Sequence, residues 1–184
     1  MPRRTPKQAA CSGSRKKRKI DLENMGVYVW TPEGAKLLET SAVHVDVFQE
    51  IPYGISAGFS FENTGDLIRA LKHGFPMSAF ENLRSAMDIP AKTLASVANI
   101  AGRTLSRRKK EGRLQTDESE RLFRIAALYD RAVEVLGDGE RARGWFKGPK
   151  KALGGETPLQ YADTEPGARE VENLLGRLEY GVFS

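Results

Sequence analysis

Between Thr116 and Leu136 the apolar residues recur three or four positions apart: Leu122, Ile125, Ala126, Tyr129, Val133 and Leu136. That stripe is one face of a helix, because a strand would alternate its faces every second residue. The helix is predicted to start near Thr116 or Asp117, with acids in its first turn, where the helix dipole favours negative charge. A long amphipathic helix at this position commits the surrounding chain to a mainly α fold.

The flanking segments follow the same pattern. Leu67, Ile68 and Leu71 share one face of a short helix that stops at Gly74, and Ser78 and Glu81 have the spacing of a capping box. Phe80, Leu83 and Met87 follow at helical intervals, then two short segments at about 90–98 and 102–110. Downstream, Asp138 is placed to cap a helix carrying Trp145 and Phe146 that ends at Gly148-Pro149. Gly154-Gly155 permits a sharp turn, and Thr157-Pro158 and Pro166 each open a further helix. Leu153, Leu159 and Tyr161 read as the core of a small domain. Val171, Leu174, Leu175 and Leu178 form the apolar face of the last helix, expected to pack against Trp145 and Phe146.

The N-terminal third is different. Residues 1–24 carry eight Lys/Arg and two acids, whereas the other 160 residues carry 21 basic and 22 acidic side chains. The net charge of +5 therefore belongs to a tail. This tail is too polar to build a core and is expected to be disordered. Its "RKKRK" run is either a phosphate-binding arm or an upstream extension, with translation able to start at Met25. Residues 25–64 form an arm of uncertain structure, β-containing or dimerising, with "GVYVW" and "HVDVF" strand-like between breaks at Pro32, Pro52, Gly54 and Gly58. No apolar run is long enough to span a membrane or act as a secretory signal, and the single Cys11 has no disulfide partner within the chain. A cytoplasmic location is expected.

The segment "PAKTLASVANIAGRTLSRRKKEGR", residues 90–113, carries the chemistry. Two short helices joined by a tight turn make a helix-turn-helix, whose second helix enters the DNA major groove. Ala95 supplies the small residue at the crossing, Asn99 tolerates a left-handed turn, and Leu94, Ala98, Ile100 and Leu105 lock the angle. Arg103, Thr104 and Arg107 lie early enough to reach base edges, with Ser106 beside them; Arg108, Lys109, Lys110 and Arg113 are assigned to phosphates. Charge reversal at Arg107 and Arg108 is expected to abolish binding. The plainer reading is a solvated basic helix in a bundle.

The run from Thr104 to Ser184, above all "SRRKKEGRL", "ALGGETPL" and "GAREVENLLGRLEYGVF", resembles the Xre/MbcA/ParS antitoxins, most closely the antitoxin half of RES–Xre (ParT–ParS) pairs. The resemblance covers roughly residues 65–184. It implies an Xre-like helix-turn-helix DNA-binding domain over 65–136 and a small helical toxin-binding domain over 137–184. It implies further that the partner is a NAD-consuming RES-domain toxin, neutralised when the C-terminal region blocks its active site. The antitoxin would repress its own operon through operator DNA and form a homodimer within a larger assembly. On this reading the toxin-binding residues are Arg169, Glu172, Asn173, Arg177, Glu179, Tyr180, Gly181, Val182, Phe183 and Ser184.

Two further readings stand beside it. One is a helix-turn-helix regulator with an effector- or partner-binding C-terminal domain and no toxin. The other is an enzyme, for which the chain offers little: two His, one Cys, no Gly-rich phosphate loop after a strand and no metal-ligand spacing. No catalytic residue, metal or cofactor is expected.

Overall fold

The computed structural model describes residues 27–31, 34–38, 54–61 and 63–181. The basic tail and the strand expected at "HVDVF" lie outside the described residues, as do Val182, Phe183 and Ser184. Eight α-helices are described: α1 Thr64–His73, α2 Met77–Met87, α3 Ala91–Val97, α4 Gly102–Glu111, α5 Thr116–Leu136, α6 Gly139–Lys147, α7 Pro158–Tyr161 and α8 Glu165–Tyr180. The strand expected within "GVYVW" forms as β1, Val27–Thr31, antiparallel to β2, Gly34–Leu38, and parallel to the short β3, Phe59–Ser60.

Helix α5 is the spine. Leu122, Ile125, Ala126 and Tyr129 of its predicted stripe are buried, and Val133 and Leu136 pack at the edge of the core. Its start is fixed by a capping box in which Gln115 and Glu118 satisfy each other's backbone N–H groups. Helices α1, α2, α6 and α8 all pack on it, so one element runs through both halves. Helix α8 packs chiefly along α5, with Val171 and Leu175 in the same buried core as Phe146; Phe146 also meets Tyr129 of α5 edge-on, with Trp145 against it.

Two local expectations are corrected. Ser78 does not cap α2: the helix begins two residues earlier, with Pro76 at the N-cap, and the Met77 N–H bonds across to the Gly112 carbonyl. Ser78 sits inside the first turn with its hydroxyl unpartnered, and Glu81 pairs with Arg84 and Lys109. Ile68 leaves the core face of α1 and is 46% exposed, and the smaller Ala70 is buried in its place.

The arm joins the core through aromatic packing. Phe61 stacks with Phe59 and Phe75, Phe59 meets Phe75 at a tilt, and Phe123 of α5 closes the cluster edge-on. Beside it the Asp130 carboxylate of α5 accepts the N–H groups of Gly54 (2.7 Å) and Ser56 (3.2 Å). Burial pushes the Asp130 carboxyl up to about 6, although these N–H groups favour its charged form. Nothing in the sequence marked Asp130 for this task, because the partner lies far off in the chain and bonds through its backbone.

Candidate functional site

Helices α3 and α4 form the expected pair. Ala98 ends α3, Asn99 turns the chain at φ 53, and α4 begins after Ala101. Leu94, Ala95, Ala98, Ile100 and Leu105 are all buried between the helices and the body. Ala101 stands at the N-cap without a side-chain bond to α4.

The basic residues of α4 divide between two tasks. Arg103, Ser106, Arg107 and Lys110 share one exposed face, three or four residues apart. Ser106 returns its hydroxyl to the Gly102 carbonyl. Arg107 is loosely paired with Glu111 at 3.7 Å and stays largely exposed. Thr104 is half-buried at the edge of this face, and Lys109, on the other flank, reaches Glu81 of α2 at 3.1 Å. Burial raises Glu81, but Arg84 and Lys109 outweigh it and hold the carboxyl below its usual range.

Arg108 corrects the sequence reading. Its guanidinium turns inward and meets Glu118 of α5 at 2.7 Å and Glu111 at 2.6 Å; the side chains of Arg108 and Glu118 are only 8% and 7% exposed. Glu118 first, then Glu111, pushes the Arg108 pKa further up, so it is a fixed charge. A side chain this enclosed cannot reach a phosphate. Helical spacing explains it: Arg108 falls three residues after the buried Leu105, on the inner side. Arg113 lies beyond the helix and donates to the His73 and Gly74 carbonyls, tying the end of α4 to α1.

The second face lies on α8. Thr164 caps it by accepting the Gly167 N–H, with Pro166 in the first turn, and Gly181 closes it in the left-handed region. Val171 and Leu175 are buried, with Leu174 and Leu178 half-covered. Outside, Arg169 pairs with Glu165, while Arg177 (2.7 Å) and Asn173 (3.4 Å) both reach Glu170. Glu172 is exposed, and Glu179 bonds to Arg131 of α5. Tyr180 projects at the end, 78% exposed. Arg131, Glu172, Asn173, Gly176, Arg177 and Tyr180 line one groove between α5 and α8; Arg169 stands outside it. Arg131 and Gly176 escaped sequence reasoning. The mid-helix glycine was the available signal for Gly176.

Among the described residues, no group of His, Cys, Asp and Glu could hold a metal, and no helix is long and apolar enough to cross a membrane.

Two segments of the chain match known protein families. Residues 66–127 match the antitoxin Xre-like helix-turn-helix domain, and residues 131–181 match the antitoxin Xre/MbcA/ParS C-terminal toxin-binding domain. An "Antitoxin Xre" of Yersinia enterocolitica is 38% identical over 64% of this chain and 81% of its own length. Another "Antitoxin Xre", from Photorhabdus laumondii, is 33% identical over 74% of this chain and 93% of its own length. A "Prs ADP-ribosylating antitoxin" of a Sphingobium species is 24% identical over 65% of this chain and 81% of its own.

Proposed function

The chain belongs to the Xre/MbcA/ParS antitoxin family, and we propose that it neutralises a NAD-consuming RES-domain toxin while repressing its own operon. The observation that carries this reading is the placement of two chemically distinct exposed faces on one helical spine: a basic face on α4, and a mixed-charge face ending in Tyr180 on α8. The name of the Sphingobium relative mentions ADP-ribosylation, a reaction that consumes NAD.

In this account Arg103 and Arg107 read base edges, where Arg is the commonest contact to guanine, with Thr104 and Ser106 at their margin. Lys110 neutralises phosphate, and Lys109 joins it once released from Glu81. The DNA-binding unit runs over 65–136 and the toxin-binding unit over 137–184. Two copies associate, so that two α4 helices meet successive major grooves, and the protein works in the cytoplasm.

On the toxin side Tyr180 leads a terminal segment, Gly181 to Ser184, into the toxin's NAD site. A pocket built for phosphates carries cationic groups that accept the Glu179 carboxylate. Co-expression with the neighbouring gene tests this. That gene alone should deplete cellular NAD and stop growth, and this chain should restore both. Growth arrest with normal NAD would refute the RES assignment.

A further inference from the structure

Helix α8 carries two interior glycines, and among the described residues only one meets a neighbour that demands it. At Gly167 a Cβ would lie 1.8 Å from the Tyr161 carbonyl oxygen, so the close crossing of α7 and α8 demands glycine there. At Gly176 a Cβ would meet no atom of the described residues within 4 Å, and the backbone is ordinary helix. Glycine is the costliest helix residue after proline, since it surrenders most backbone freedom. Position 176 accepts that cost with no contact among the described residues to justify it.

Its surroundings supply a reason. Gly176 lines the groove between α5 and α8, with Glu172 and Asn173 one turn before it, Tyr180 one turn after it, and Arg131 of α5 opposite. All of these positions fall within the match to the toxin-binding domain. An exposed aromatic ring, a gap left by a missing side chain and a rim of paired charges have the anatomy of an interface anchor point. We propose that this groove is a contact site for the toxin, seating an apolar side chain of the toxin over Gly176 and against the Tyr180 ring. The contact is separate from the terminal residues that follow Tyr180, and it rests on the reading that the C-terminal domain binds the toxin.

The test measures binding of the purified chain to the RES-domain protein encoded beside it, using Gly176→Leu, Tyr180→Ala and a control, Gly144→Leu. Gly144 also stands in a helix with nothing among the described residues within 4 Å of a Cβ, but on open surface. Both leucine variants should keep or raise the thermal midpoint. Gly176→Leu and Tyr180→Ala should each weaken toxin binding about tenfold or more, leaving promoter binding unchanged, and Gly144→Leu should bind as wild type. Equal binding by all variants overturns the groove and leaves the toxin reading intact. Failure of the wild-type chain to bind overturns both. A fall in the midpoint of free Gly176→Leu would mean that another part of this chain already fills the groove, which also overturns the proposal.

Discussion

Glu118, in the first turn of α5, accepts two hydrogen bonds from the Arg108 Nε at 3.1 and 2.7 Å, and also the Gln115 N–H at 2.8 Å. One carboxylate therefore starts the spine helix and fixes the inner side of the α4 helix. Glu111, the lone acid in the basic run, completes the clamp on Arg108. What reads as a stretch of cations is an outward-facing set held in place by one that faces in.

Arg108→Met should destabilise the fold by about 3–5 kcal/mol, because it leaves Glu118 enclosed without its cationic partner, and Glu118→Gln should cost less, because Arg108 keeps Glu111. Arg107→Gln should change stability by no more than about 0.5 kcal/mol, since Arg107 is exposed. Urea titration of the three variants separates the cases. A neutral result at Arg108 would contradict the clamp.

DNA binding should divide the same residues differently. If Lys110 contacts a phosphate, Lys110→Ala should reduce the slope of log affinity against log salt by roughly 0.9. Arg107→Gln should weaken binding to its own promoter more than binding to unrelated duplex, as loss of a base contact does. Fluorescence anisotropy at several salt concentrations checks both. The charge-reversed pair Arg107→Glu, Arg108→Glu is a poor probe of contact, because its second change breaks the clamp.

Asp130 predicts a pH signature. Its folded-state value of about 6 lies above the ordinary 3.8, owing chiefly to burial. Folding therefore takes up a proton between those values. The contribution to stability is full below about pH 4 and is lost as pH rises through about 6. Asp130→Asn removes that titration, so the stability difference between wild type and variant should change across pH 4–6 and stay flat above pH 7. Urea midpoints measured over that range decide it; a constant difference would contradict the raised value.

Gly167→Ala should cost about 1–3 kcal/mol or force α7 and α8 apart, since the new methyl would sit on the Tyr161 carbonyl. Calorimetry of this variant should show a lower midpoint. An unchanged midpoint would mean that α7 moves aside freely.

Much of this fold is written locally. The α5 stripe, the α3–α4 turn at Asn99, the Gly74 stop and the starts marked by Asp138, Thr157 and Pro166 each depend on residues within one or two turns, so periodicity and capping expose them. The misreadings share a cause in long-range contacts. The start of α2 that Ser78 was expected to cap bonds across to the Gly112 carbonyl, and Arg108 was claimed by a carboxylate on the next helix. The groove around Gly176 needs Arg131 from α5, and no spacing within α8 announces that neighbour.

The central claim is that DNA reading and toxin neutralisation reside on separate faces of one spine. Truncation after Glu179 tests it most directly, with growth rescue and promoter affinity measured on the same protein. The account predicts a chain that folds and binds its promoter as wild type does, yet fails to protect cells from the co-expressed toxin. Full protection by the truncated chain would contradict it.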